Sequence, residues 1–323
     1  MGQGHTSDAT GRFTAVNPFT SGRWVMEPKP QNFWGVNHAT WFTLMGVGGA
    51  LFIWRVLSGS VMGRAVGMSI ADLTSLVVIG VGGLILLADL GRPLQAWRVY
   101  KNPRTSWISL GFIADMTFLL FAGLLTIADL ELAGARPLAG LPWAGDGALR
   151  VAFFTVASLA ALVVIAYPGI VMASTPAIPF WNNMLIPAQF LAFGFASAIG
   201  VELLAPLWLS VAPETLTRLA GSGAVAVAAA GALLLLHALN GVYAGTAARA
   251  SVARLASGDL RTPFYGALVL GIAVPAAALA AASLASAGAA LTALVVLAAA
   301  SLQVGNWLAK YAVIKAGVYP PFL

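Results

Sequence analysis

IADLTSLVVIGVGGLILLADLGRP, residues Ile70–Pro93, decides the fold. The run 70–89 is long enough to cross a ~30 Å hydrocarbon core as one helix, and Gly91-Arg92-Pro93 then ends it. Runs of the same kind recur near 38–57, 107–128, 149–172, 183–207, 222–246, 264–286 and 288–309. Polar or Gly/Pro-bearing segments separate them, such as Ser257-Gly258-Asp259. The stretch 272–300 is almost unbroken and Ala-rich, with Ser286-Ala287-Gly288 as its one break, so seven or nine crossings are the alternatives to eight. Gly46-Val47-Gly48-Gly49 and Gly80-Val81-Gly82-Gly83 lie inside these runs, where small residues let helices approach closely in lipid.

Composition agrees. Charged residues are 9% of the 323 and apolar residues 59%. A soluble domain carries roughly 25% charge, so this protein cannot cover itself with a water-facing surface. It has no cysteine, which removes disulfides, thiolate metal sites and thiolate-held Fe–S clusters together. The net charge of +6 comes from Lys and Arg in the loops, a membrane-topology pattern rather than a nucleic-acid footprint. The polar first ~30 residues show no apolar core of a cleavable signal peptide. Met1-Gly2 with Thr6 formally matches a myristoylation pattern, for which chance is sufficient in a polytopic protein.

Eight crossings put both termini on one side. That side carries Arg12, Arg23, Lys29, Arg92, Arg98, Lys101, Arg104, Arg249, Arg254, Arg261, Lys310 and Lys315. The other carries Arg55, Arg64, Arg136, Arg150 and Arg218. The positive-inside rule then places both termini in the cytoplasm, unless the basic face serves to dock a partner protein.

The polar and aromatic residues gather on the same basic side. Phe33-Trp34-Gly35-Val36-Asn37-His38 enters the first helix there, and Asp89 to Pro93 leaves the second. Trp97, Asn102 to Trp107, Tyr167-Pro168-Gly169, Ile178 to Asn183, and Trp307, Lys310, Tyr311 and Lys315 follow. An aromatic belt with helix caps explains the tryptophans one by one, but not their one-sidedness. Asp89 and Arg92 are one helical turn apart and are expected to pair. Asp115 lies eight residues inside its helix, roughly 12 Å below the interface, a depth that marks a functional group unless a neighbouring helix binds it as a neutral acid. Glu202 is expected to cap a helix near the opposite interface. His38 and His237 invite a bis-histidine haem, yet their depths differ by roughly 13 Å, so a shared haem is not expected. No metal-ligand cluster and no phosphate-cradling loop is present.

These motifs resemble the NrfD/PsrC family, membrane subunits of polysulfide-reductase-like molybdenum oxidoreductases. The resemblance rests on Asp89-Leu90-Gly91-Arg92-Pro93, Asn102-Pro103-Arg104-Thr105-Ser106-Trp107, Tyr167-Pro168-Gly169, Ile178-Pro179-Phe180-Trp181-Asn182 and Gly305 to Tyr311, and covers about 33–320. It implies an all-α polytopic bundle: a polar tail 1–37, a four-helix bundle 38–172 with a quinone site, a second four-helix bundle 173–310, and a tail 311–323. It further implies menaquinone or ubiquinone as the cofactor, and a ferredoxin-like Fe–S subunit leading to a molybdopterin catalytic subunit in the bacterial cytoplasmic membrane. Membrane lipid is the remaining partner, and nucleic acid is not one. Aligned on Phe33-Trp34, His38 stands where the family has an Asn and Trp41 where it has a His. The resemblance implies that Tyr167 and the polar start of the first helix form the quinone pocket. There His38 is by its chemistry the best donor to a quinone carbonyl, so His38 and Tyr167 are expected to hold the quinone oxygens. Asp89, assisted by Arg92, would relay protons, which quinol chemistry requires within hydrogen-bond reach. Trp34, Trp41 or Trp107 would pack on the ring, and Asp115 would extend a proton path. A secondary transporter, a purely structural anchor, and a quinone-coupled proton-translocating subunit using Asp115 and His237 are the alternatives.

Overall fold

The computed structural model describes residues 28–286 and 288–320. The expectations resting on Met1-Gly2, Thr6, Arg12 and Arg23 lie outside the described residues. Nine helices account for most of the described residues: α1 Val36–Ser58, α2 Ile70–Ala88, α3 Trp107–Ala128, α4 Ala148–Ala173, α5 Leu185–Glu202, α6 Pro213–Tyr243, α7 Thr246–Ala256, α8 Arg261–Leu284 and α9 Ala289–Lys315. All but α7 belong to the eight segments that are long and apolar enough to cross a membrane, as the hydropathy requires.

The helix starts follow local chemistry. Ser69 and Ser106 cap α2 and α3 by accepting from the backbone N–H of Asp72 and Ser109. Pro213 opens α6, where its fixed φ suits the first turn and its missing N–H costs nothing. That proline starts the helix nine residues ahead of the expected 222, because apolar character rises only after the polar first turns. In α8, Pro275 cannot donate to the carbonyl four residues back, and the helix widens into a π turn over Val269–Ala273. The break expected at 286–288 is real: α8 ends at Leu284 and α9 begins at Ala289.

Helices α1–α4 pack among themselves, as do α5, α6, α8 and α9. Helix α1 also packs on α5 and α9, and α4 packs on α5, so α1, α4, α5 and α9 form the seam between the two groups. Accordingly α1 and α5 are buried over most of their length, whereas α2 and α4 turn most of theirs outward. Gly271 and Gly305 bring α8 and α9 so close that a Cβ on Gly305 would collide with the Gly271 backbone. At the basic end, Lys29–Pro30 (β1) pairs antiparallel with Val318–Tyr319 (β4), and Gln31 donates to the carbonyls of Trp34 and Ile314. At the other end a two-residue hairpin, Arg64–Ala65 (β2) with Met68–Ser69 (β3), joins α1 to α2.

Candidate functional site

A cavity of about 660 Å³ lies within α1–α4 at their basic end. Its wall is almost wholly apolar, contributed by α1, α2, α3, the end of α4 and the 3-10 segment Pro93–Lys101. Ser109 Oγ donates to the Val99 carbonyl and ties that segment down across the cavity's end. Five side chains with polar atoms interrupt the apolar wall: Trp34 just before α1, His38 and Trp41 from α1, Asp115 from α3, and Tyr167 from α4.

Tyr167 and Asp115 meet at 3.3 Å, the phenol donating to Asp115 Oδ2. Gly111, one turn before Asp115, makes this possible, because any Cβ there would overlap the Tyr167 ring. Asp115 Oδ1 has no partner among the described residues, nor does Trp41 Nε1, although both side chains are buried. The cavity wall thus carries one buried acceptor or acid and one buried donor without a partner among the described residues. Trp41 is stacked against Tyr167 at 6.0 Å between ring centres and meets Phe42 edge-on at 4.2 Å.

His38 is held from behind. Its Nδ1 lies 3.3 Å from Asp89 Oδ2, while Asn37 Nδ2 donates to Asp89 Oδ1 at 2.8 Å. Trp34 stacks on the imidazole at 5.0 Å and on Trp181 at 5.1 Å. With Nδ1 committed to the carboxylate, Nε2 is the atom left to face the cavity. A neutral imidazole in that tautomer accepts a proton at Nε2, and the imidazolium returns it.

The structure thus brings His38, Trp41, Asp115, Tyr167 and Trp34 together, with Asp89 one bond behind. It does not bring in Arg92 or Trp107. The α-helix stops at Ala88, and Arg92 adopts φ −140° and ψ 73° at the start of the 3-10 segment, so it does not rise one turn over Asp89. The expected Asp89–Arg92 pair is replaced by Asp89 with Asn37 and His38. Trp107, 47% exposed, stands at the rim of α3 outside the cavity wall.

His237 belongs elsewhere. Its Nε2 lies 2.9 Å from the Phe180 carbonyl and its ring stacks on Phe180, so it shares neither partner nor cavity with His38 or Asp115. Among the described residues, no three His, Asp or Glu side chains gather at metal-binding distance. Glu202, expected to cap a helix at the interface, is instead fully buried and caps none: Oε2 accepts from the Val61 N–H at 2.9 Å and holds the loop after α1.

Two features escaped the sequence reading. Lys310, expected at the interface, is buried in the seam, where Nζ donates to the Phe42 carbonyl at 3.0 Å and sits 5.2 Å from the Phe190 ring centre. Gly46 on α1 leaves the room for that ammonium. At the far end of α1–α4 lies a second, charged basin of about 1070 Å³. There Arg55 pairs with Asp72, and Asp129 takes Arg150 at 2.9 Å, Arg64 at 3.0 Å and Arg136 at 3.5 Å.

Known proteins share this sequence pattern. The family profile described as "Polysulphide reductase, NrfD" matches residues 24–320. The C subunit of polysulfide reductase from Wolinella succinogenes is 30% identical over 225 residues, which is 65% of this protein and 68% of that one. The profile spans both helix groups and every cavity residue named above, and with eight membrane-length helices behind it, the chain is a multi-pass membrane protein that belongs to the polysulphide reductase NrfD family.

Proposed function

We propose that this chain is the quinone-reactive membrane subunit of a respiratory oxidoreductase, exchanging electrons between the quinone pool and an Fe–S subunit that serves a molybdopterin catalytic subunit. Family membership supports a membrane subunit of a redox complex. The observation that carries the quinone reading is the pair of buried, unpartnered polar atoms, Trp41 Nε1 and Asp115 Oδ1, in an otherwise apolar cavity of about 660 Å³. Such a cavity, with few convergent polar groups, suits a flat apolar ring bearing oxygens. The cysteine-free sequence supports entry of electrons through another subunit.

A bound quinone supplies reversible two-electron, two-proton chemistry. The protein's own part is to hold the ring and handle protons. The Trp41 indole N–H donates to one oxygen. Asp115 holds a proton at Oδ1 while the Tyr167 phenol fixes Oδ2. His38 takes or returns a proton at Nε2, with Asp89 orienting the imidazole and stabilising its charged form. Trp34 keeps the imidazole plane in place by stacking. In the otherwise apolar wall, His38, Asp115 and Tyr167 are the titratable side chains.

The test is to purify the native assembly in mild detergent and identify its subunits by mass spectrometry. An Fe–S protein and a molybdopterin protein are expected, together with quinone turnover that His38→Ala and Asp89→Asn suppress while dye-linked catalysis persists. A protein that purifies alone from its native membrane contradicts the reading and favours a transporter.

A further inference from the structure

The glycines of α2 have two different jobs. A Cβ on Gly82 would lie 3.3 Å from Leu44 and Met45 of α1, which is the close packing expected of small residues in a membrane helix. A Cβ on Gly80 would meet nothing within 4 Å, and one on Gly83 only the end of Met45 at 3.9 Å. Both line the cavity instead. With Leu84 and Leu87 they form one face of α2, at the i, i+3, i+4, i+7 spacing. Ile108, Phe112, Met116 and Leu119 form the matching face of α3. Several of these residues also reach the outer surface: Leu84 is 66% exposed, Ile108 53% and Met116 37%. The cavity therefore runs from its polar end, at Asp115 and Trp41, to the lipid-facing side of the bundle between α2 and α3.

Resting on the quinone reading, we propose that this gap is a lateral portal that holds the isoprenoid tail of the quinone, with Gly80 and Gly83 as its floor. The occupant follows from continuity. A ligand whose head meets Asp115 and Trp41 leaves the cavity through an apolar slot at membrane depth, so its tail is a hydrocarbon chain. The two glycines keep the slot wide where a larger side chain would cross it.

The experiment compares equilibrium dissociation constants in the detergent-purified complex for two naphthoquinones with the same head, one with a long isoprenoid tail and one without. Gly80→Phe and Gly83→Phe are expected to weaken the tailed quinone by about tenfold or more, as filling an apolar subsite does, and to leave the tailless one within about twofold. Gly80→Ala is the control that keeps the slot open and should bind both as the wild type does. Melting temperature of the complex monitors folding, and Gly80→Phe should hold it because the ring enters open space. Equal weakening of both quinones, or weakening of neither, overturns the portal. A wild-type complex that binds neither quinone overturns the quinone reading, and the portal with it.

Discussion

At the basic end of α1–α4, Asp115 keeps one oxygen without a partner while Tyr167 donates to the other. At the opposite end of the same helices, Asp129 takes Arg64, Arg136 and Arg150 at once, and Asp72 is fully engaged by Arg55. Both regions enclose large cavities, yet one is an apolar wall with a few open valences and the other a basin in which Asp72 and Asp129 are paired with arginines. A buried polar atom without a partner lowers stability. Among the described residues His237 Nδ1 and Glu202 Oε1 are also unpartnered, outside the cavity, so Asp115 Oδ1 and Trp41 Nε1 stand out by lying together in the wall of one apolar cavity. A carboxylate ringed by guanidinium groups has already been completed by the protein. As a clasp, the basin ties the hairpin after α1 to the loop after α3, whereas under the proposed function the cavity is the quinone site.

This contrast breaks if the two ends respond alike to mutation. The largest expected effect is on turnover: Asp115→Asn, which keeps the shape but cannot carry a proton, should lower quinone turnover by roughly 10²–10⁴-fold, with the melting temperature unchanged. Next comes the clasp. Arg55→Met leaves Asp72 buried and unpaired, which costs about 3–5 kcal/mol in comparable sites, so the folded fraction should drop while turnover per folded complex stays constant. Trp41→Phe removes an indole N–H that has no protein partner, together with part of a ring packed on Tyr167 and Phe42. It should weaken quinone binding about five- to tenfold, the loss of one hydrogen bond, with a small drop in melting temperature from the lost packing. The smallest effect belongs to Arg64→Gln. That side chain is 62% exposed and shares Asp129 with two other arginines, so less than about 1 kcal/mol of stability should be lost. Thermal melts and quinone kinetics on the same four preparations measure all of this together.

The eight crossings were legible in the sequence because spanning a bilayer is a local demand that each run of residues meets or fails alone. The short α7 was not: eleven residues carrying Arg249 and Arg254 read as a polar loop, and their helix forms against α6 and the C-terminal end of α9. Asp115 announced itself by depth and Tyr167 by its motif. Their contact spans 52 positions in the sequence and depends on Gly111, which nothing in the pattern distinguishes from other glycines. The Asp89–Arg92 pairing failed because an i, i+3 argument holds only while the helix continues, and α2 ends at Ala88. Lys310 misled for a related reason. A lysine near a helix end reads as interfacial, and only the packing of α9 on α1 and α5 turns it inward to the Phe42 carbonyl. Gly80 and Gly82 look identical in a sequence, since packing glycines and cavity glycines differ solely in what faces them.

Photolabelling of the native membrane with an azido-naphthoquinone, followed by peptide mapping, tests the central claim most directly. The cavity assignment expects label within 34–45 on and before α1 and within 108–119 on α3, and loss of that label when unmodified quinone is in excess. Label confined to α6, α8 or α9, or labelling of α1 and α3 that excess quinone does not suppress, would contradict it.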